Sequence, residues 1–147
     1  MDSNDERREF TARYDSLDST AAFAQSFSER HAVPRDTALK VALIVEELLT
    51  NTIEHGFGGE CDELVAISLS VSGPELVLTY EDGAPPFDPF ASATRRSAAI
   101  EGPTEARDVG GLGLRLVGGL PTGAHYAHEN GRNRLRIMFR LDDSLRQ

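Results

Sequence analysis

The sequence is poor in cysteine, in long apolar runs and in basic residues, and each shortage excludes a class of protein. The single cysteine, Cys61, excludes an internal disulfide framework and a cysteine-based zinc site. No apolar run is long enough to span a membrane, and the charged N-terminus MDSNDERREF is unlike a signal peptide, so we expect a cytoplasmic protein. With 24 acidic and 15 basic residues, the net charge of -9 disfavours nucleic acid as a partner.

The length and the apolar content suit one compact domain with a hydrophobic core, since the chain has 147 residues of which 39% are hydrophobic. We expect residues 1–8 to be a polar tail, residues 9–142 to be the domain and residues 143–147 to be a second tail. Residues 83–110 show no convincing periodicity. A stretch of that length inside a small domain is typical of a functional lid or of a disordered loop.

The segment VALIVEELLTNTIEHG, residues 41–56, predicts an amphipathic helix around which the rest of the chain is organised. Its core-facing stripe consists of Ala38, Val41, Ala42, Val45, Leu48, Leu49 and Thr52. Glu47 and Asn51 are four residues apart, so they share one face, roughly opposite that stripe. The residues expected to flank this polar pair are Leu43, Ile44 and His55. We therefore expect a ligand or a lid to cover the pair.

The remaining segments predict a sheet with helices on one side. Strands are expected at residues 10–14, 63–72, 76–82, 123–129 and 134–141, and helices at residues 20–31, 35–56 and 112 to about 118. Asn130-Gly131 is a strong hairpin turn signal between the last two strands. The order β-α-α-β-β-lid-α-β-β is typical of an α+β two-layer sandwich with a mixed, mainly antiparallel sheet.

Strand parity draws attention to Asp82. It falls on the same face as Leu76, Leu78 and Tyr80, so it should point towards the core. A carboxylate there requires a partner, because burying it alone is costly. Asp-Gly is also common turn chemistry, so a turn-capping role remains a second interpretation.

Three motifs then follow one another in a fixed order. The first box is ELLTN, residues 47–51, followed by Glu54-His55-Gly56. The second is DGAPPFDP, residues 82–89, and the third is GGLGLRLV, residues 110–117. Together they resemble the GHKL ATP-binding family, whose fold is known as the Bergerat fold, over nearly the whole chain. More narrowly, they resemble the bacterial anti-sigma-factor serine/threonine kinases. Each box alone is a weak signal, whereas all three in this order are a strong one.

The resemblance implies a role for several residues. Glu47 corresponds to the general base, Asn51 to the ligand of Mg²⁺, and Asp82 to the partner of the adenine amino group of ATP. The other positions that it places at the nucleotide are His55, Ala84, Phe87, Gly110, Gly111, Leu112, Gly113 and Leu114. The residue types suit the chemistry, because Mg²⁺ takes few protein ligands and a nearby carboxylate can accept a proton. Glu46 is the rival base.

One position departs from the family pattern. Ala84 stands where the family usually has glycine, and an alanine there would be strained if the backbone φ were positive. The third box agrees with the pattern, since its glycines allow backbone N–H groups to close on phosphate at the start of a helix.

The function implied by the resemblance is phosphorylation of a serine or threonine in a STAS-type anti-sigma antagonist, with a sigma factor as a second partner and a homodimer as one oligomeric state. No dimerisation hairpin with a phosphoacceptor histidine precedes the boxes, which disfavours a complete histidine kinase. The alternative is a non-catalytic nucleotide-binding module that sequesters a regulatory protein. A third interpretation, an α+β domain whose boxes are coincidental, predicts no binding of Mg-ATP.

Overall fold

The computed structural model describes residues 5–87 and 123–141 of the chain. The strands are β1 (Asp5–Thr11), β2 (Leu64–Ser72), β3 (Glu75–Asp82), β4 (Gly123–Glu129) and β5 (Arg132–Arg140). The helices are α1 (Leu17–Arg30) and α2 (Arg35–Asn51), with a 3₁₀ turn (Tyr14–Ser16) before α1 and a π-helical turn (Thr52–Gly56) after α2. In these two segments no helix is long and apolar enough to cross a membrane.

The five strands form one sheet in the order β1-β2-β3-β5-β4. All four strand pairings in the described part of the chain are antiparallel, so the sheet is less mixed than expected. The two helices cover one face of it, and the α+β architecture predicted from the sequence is confirmed. The hairpin turn is confirmed as well: Asn130 and Gly131 have φ values of 54° and 75°, as a two-residue turn with the strands' own twist requires.

The core lies between this sheet face and the helices. On β3 buried and half-buried residues alternate strictly, with Leu76, Leu78, Tyr80 and Asp82 on the buried face. The predicted parity of this strand is therefore confirmed, and the carboxylate of Asp82 lies at the inner edge of the core. The large side chains that are almost fully buried are Phe27, Ile44, Leu48, Leu49, Ile53, Ile67, Leu69, Leu76, Leu78, Tyr80, Ile137 and Phe139.

The N-terminal strand begins earlier than predicted. β1 pairs with β2 along its whole length, from Asp5 opposite Ser70 to Thr11 opposite Leu64, so residues 5–8 are not a tail. The sequence suggested a tail because this segment is strongly charged. Edge strands often carry such charges, which discourage pairing with another chain.

The structure of α2 confirms most of the predicted pattern and corrects the predicted position of one residue, Ile44. The helix starts at Arg35 as predicted, whereas α1 starts at Leu17, three residues before the predicted Thr20. Ile44 does not flank the polar face but is fully buried, because it follows Val41 by three residues and so joins the apolar stripe. Leu43 is 45% exposed.

The turn after β1 is fastened to the loop that precedes β2. The backbone N–H of Cys61 donates to the carbonyl of Ala12 at 3.0 Å. Tyr14 contributes two further contacts, from its N–H to a carboxylate oxygen of Glu60 at 2.8 Å and from its hydroxyl to Glu54 Oε2 at 2.7 Å. The side chain of Glu54, three residues after the first box, is therefore held by the hydroxyl of Tyr14.

Candidate functional site

A buried carboxylate forms the centre of the site. Asp82, the last residue of β3, is only 5% exposed, and both its oxygens accept hydrogen bonds. Oδ2 accepts from the hydroxyl of Thr52 at 2.8 Å, and Oδ1 accepts from the backbone N–H of Ala84 at 3.1 Å and from Asn133 Nδ2 at 2.9 Å. The contact with Ala84 is the turn-capping interaction that the Asp-Gly pair suggested. The cost of burying the charge is thus offset by three donors.

The hydroxyl of Thr52 connects this carboxylate with Tyr80. Its Oγ1 lies 2.6 Å from the phenolic oxygen of Tyr80, which is itself 3.3 Å from the carbonyl of Leu48. Since Thr52 donates its one proton to Asp82, Tyr80 donates to Thr52 and a short chain of hydrogen bonds runs from β3 through the helix end to the carboxylate. Burial raises the pKa of Tyr80 strongly, so its hydroxyl stays protonated as a donor.

Asn133 connects the carboxylate with the second box. This residue is directly opposite Asp82 on β5, and only 4% of it is exposed. Besides Asp82, its Nδ2 reaches the carbonyls of Ala84 at 3.1 Å and Pro85 at 3.0 Å, while its Oδ1 accepts from the N–H of Phe87 at 3.1 Å. One side chain therefore holds both the acid and the loop that follows it.

A pocket opens above this network, between the end of α2 and the second box. Its lining residues are Leu48, Asn51, Thr52, Gly56, Tyr80, Asp82, Ala84, Phe87, Asn133 and Leu135. The walls are mostly apolar, and the polar groups converge on Asp82. A flat, largely apolar group that carries a hydrogen-bond donor on its edge fits such a pocket.

Asn51 lies in the wall of the same pocket and fits a hard cation. It is the last residue of α2 and is 6% exposed, yet its side chain forms no hydrogen bond to any residue in the described segments. A buried amide without a protein partner has a carbonyl oxygen free for a ligand, and amide oxygens are suitable donors to Mg²⁺. The described residues contain no group of three histidine, cysteine or acidic side chains that could hold a metal ion by themselves.

Glu47 lies one helical turn before Asn51, about 6 Å along the axis. It is half-buried at the edge of the apolar stripe. Burial raises the pKa of the Glu47 carboxyl, repulsion by Glu54 adds to the rise, and His55 partly offsets it. A carboxylate with a raised pKa is a stronger proton acceptor than an ordinary glutamate.

The π-helical turn at Thr52–Gly56 follows the first box and contacts the second. It widens the last turn of the helix, as π-helical turns at functional sites often do. The exposed ring of His55 then stacks on Phe87, with ring centroids 6.1 Å apart and planes inclined by 23°. His55 is thus at the rim of the pocket, where it is linked to the second box.

Ala84 fits its position without backbone strain. In the described segments the non-glycine residues with positive φ are Ala32 and Asn130 only, so the alanine carries no penalty for replacing a glycine. Its methyl group is buried against Gly56, where an added Cβ would come within 2.9 Å of the Cβ of Ala84. The methyl group of Ala84 thus has room because the residue that faces it, Gly56, has no side chain.

Most of the chain matches a known protein family. Residues 10–139 match the model of the histidine kinase-like ATPase domain. The chain belongs to this family. The matched range contains all three boxes.

The proteins to which this chain is similar include a histidine kinase. Blue-light-activated histidine kinase 2 of Erythrobacter litoralis is 41% identical over 51 residues, which are 34% of this chain and 15% of that protein. A structure of the RsbU and RsbW domains of Rv1364c from Mycobacterium tuberculosis has a TM-score of 0.66 at 12% identity, over 95% of this chain and 33% of that one. The chain therefore spans only a minor part of these relatives.

The SiaB–SiaC complex from Pseudomonas aeruginosa contains a further neighbour. The TM-score is 0.62 at 14% identity, and the match covers 91% of this chain and 88% of that one. At these identities the likeness concerns the fold alone. The ATPase domain predicted from the three boxes is confirmed by the family match over residues 10–139.

Some site residues were not expected from the sequence, and others lie outside the described segments. The hydroxyls of Thr52 and Tyr80 and the amide of Asn133 were missed, although one signal pointed to the last: Asn133 has the same strand parity as the buried Leu135. The glycine loop of the third box, Gly110, Gly111, Leu112, Gly113 and Leu114, lies outside the described residues, as does most of the stretch expected to form a lid, 83–110.

Proposed function

We propose that this ATPase domain is a serine/threonine protein kinase of the anti-sigma-factor type, which binds Mg-ATP and phosphorylates a STAS-type antagonist protein. The observation that carries the proposal is the arrangement of Glu47 and Asn51 one turn apart beside the Asp82 pocket. A site that only held a nucleotide would need Asp82 and Asn51. It would not need a carboxylate with a raised pKa next to them.

Each residue then has a distinct role. Asp82 accepts a hydrogen bond from the amino group of adenine, and the apolar walls at Leu48 and Leu135 enclose the ring. Asn51 contributes an amide oxygen to Mg²⁺, and Gly110, Gly111 and Gly113 have the role at the phosphates that the family resemblance implies. Bound Mg-ATP supplies the γ-phosphoryl group together with a cation that offsets the charge of the phosphates.

Glu47 acts on the acceptor. It takes the proton from the serine or threonine hydroxyl while the oxygen of that hydroxyl forms its bond to phosphorus and the bond between the γ-phosphorus and the bridging oxygen of ATP breaks. The raised pKa of Glu47 favours this step, because the proton is accepted by a stronger base.

The partners follow from the same proposal. The similar fold in the SiaB–SiaC complex belongs to a protein in complex with another protein, and that in Rv1364c lies in a structure of RsbU and RsbW domains. We infer a cytoplasmic protein whose partners are a STAS-domain antagonist and a sigma factor, and which can form a homodimer. Ala84, the departure from the family pattern, gives the non-catalytic alternative no support, because its backbone φ is not positive.

The nucleotide site is tested by thermal unfolding with and without Mg-ATP. A ligand that binds only the folded state stabilises it by about 2.7 kcal/mol at one hundred times Kd. We expect a magnesium-dependent rise in Tm that Asn51→Ala abolishes. Because the side chain of Asn51 has no hydrogen bond to lose in the described segments, the unfolding midpoint without ligand should change little.

Thr50→Ala, a change at the neighbouring half-buried position, is the matched control and should keep the rise. An equal Mg-ATP effect in the parent and in Asn51→Ala would contradict the metal assignment. Transfer itself is measured with purified STAS-domain proteins as acceptors. An acid-stable phosphate ester is expected, whereas an acid-labile product would indicate a histidine kinase.

The pH dependence of transfer tests the environment of Glu47. Because its pKa is raised, Glu47 becomes protonated at a higher pH than an ordinary glutamate when the pH is lowered. The acid limb of the pH–rate profile should therefore lie above the usual glutamate range. Glu54→Gln removes the repelling charge, and we expect the limb to move to lower pH. Glutamine can still accept the hydrogen bond from Tyr14.

Glu60→Gln is the control for this change, since Glu60 also accepts a hydrogen bond from Tyr14 but does not contribute to the pKa of Glu47. An identical displacement of the acid limb in both variants would mean that the total charge of the protein, and not Glu54, determines it.

A further inference from the structure

We propose that Asn133 determines the nucleobase selectivity of the pocket, by holding the Asp82 carboxylate so that it offers one acceptor and no donor to the base. This inference rests on the proposed nucleotide site. It assigns a positioning role to a residue outside the three boxes, at the start of the last strand. Asn133 is separated from Asp82 by 51 positions in the chain but is its direct neighbour across β3 and β5.

The surroundings of Asn133 determine which way its amide points. Three oxygens, from the Asp82 carboxylate and the carbonyls of Ala84 and Pro85, lie within 3.1 Å of one end of the amide. Two donors, the N–H of Phe87 and the hydroxyl of Tyr126, face the other end. A flipped amide would set its oxygen against three oxygens, so the donor end must face Asp82.

The number of acceptor positions on Asp82 then limits what the base can present. An ionised carboxylate has about four lone-pair positions. Thr52, the N–H of Ala84 and Asn133 occupy three of them, which leaves one for a ligand. A base with an amino group at this point donates to the remaining lone pair. A base with a carbonyl oxygen there would face a second acceptor, and neither would have a proton to share.

Asn133 also restrains the carboxylate from adapting to such a base. Rotation of the carboxylate would break the contact between Nδ2 and Oδ1. In addition, the bonds to Ala84 and Pro85 keep the second box from moving away from a larger or displaced ring. Removal of the amide relaxes both constraints at once.

The test compares ATP with inosine triphosphate, which carries a carbonyl oxygen in place of the 6-amino group. Dissociation constants for both are measured by calorimetry in the presence of Mg²⁺, for the parent and for Asn133→Ala. We expect the parent to prefer ATP, and the ratio of the two dissociation constants to fall at least tenfold in the variant. In the variant the dissociation constant of ATP should rise, while that of inosine triphosphate should stay the same or fall.

Tyr126→Phe is the matched control. It removes the hydrogen bonds of the Tyr126 hydroxyl to the other end of the same amide and to the N–H of Phe87, both away from Asp82, so the ratio should stay within about twofold of that of the parent. Asn133→Asp replaces the donor by a second carboxylate 2.9 Å from the first and should bind both nucleotides more weakly.

Two results would overturn the proposal, and they differ from each other. If Asn133→Ala weakens both nucleotides equally, so that the ratio is retained, Asn133 supports the fold and does not set selectivity. If the folded parent binds neither nucleotide, the proposed nucleotide site is itself wrong and the selectivity role falls with it. A ratio that falls in Tyr126→Phe as far as in Asn133→Ala would also contradict the specific role of the contact with Asp82.

Discussion

Replacement of Glu47 by glutamine is expected to lower the rate of phosphoryl transfer by about 10²- to 10⁴-fold, the usual contribution of a general base. Glutamine has nearly the same size and the same preference for a helix, but it cannot accept the proton of the acceptor hydroxyl. Binding of Mg-ATP should persist, because Asp82 and Asn51 remain in place. The rate is measured with saturating acceptor, and the nucleotide affinity is measured by the shift in Tm.

The neighbouring Glu46 provides the control for this experiment. It carries the same charge, it is also half-buried, and it is the rival base on the helix. Because it lies about 100° further round the helix than Glu47, away from the row that contains Asn51, Glu46→Gln should keep most of the activity. Loss of activity in Glu46→Gln together with normal transfer by Glu47→Gln would reverse the assignment.

The second large effect is expected at Gly56. An alanine there would bring its Cβ within 2.9 Å of the Cβ of Ala84, closer than two non-bonded carbon atoms approach in folded proteins. Either the helix end or the second box must shift, and overpacking of this kind costs about 1–3 kcal/mol in the free energy of unfolding. Denaturant unfolding gives this difference directly. We expect Mg-ATP affinity to fall as well, because both elements line the pocket.

The contact can be tested by relieving it from the other side. Ala84→Gly removes the opposing methyl group, so the double variant Gly56→Ala with Ala84→Gly should recover most of the lost stability. Gly83→Ala is the control glycine: its φ is not positive, and the nearest atom to an added Cβ is Arg132 Nη1 at 3.8 Å, so it should be close to neutral. A double variant as unstable as Gly56→Ala alone would show that steric contact with Ala84 is not the cause.

Much of the fold could be predicted because it depends on local periodicity. The 3.6-residue pattern of α2 predicted its start at Arg35 and most of its buried side, and the alternation on β3 predicted the inward direction of Asp82. The early start of β1 could not be predicted, because its charged residues are ordered only by backbone pairing with β2. That pairing depends on residues about 60 positions away and leaves no signal in local composition.

The sequence by itself determined most of the elements of this protein, the face on which most of their residues lie and the family to which the chain belongs, since these depend on short-range spacing and on motifs. Only the tertiary structure decided which polar groups surround Asp82 and whether Ala84 is tolerated. Thr52, Asp82 and Asn133 lie far apart in the chain, and antiparallel pairing of β3 with β5 is what brings the last two within 2.9 Å. Likewise Ala84 is accommodated because a glycine, Gly56, lies opposite its methyl group, at a distance set by the packing of α2 on the sheet.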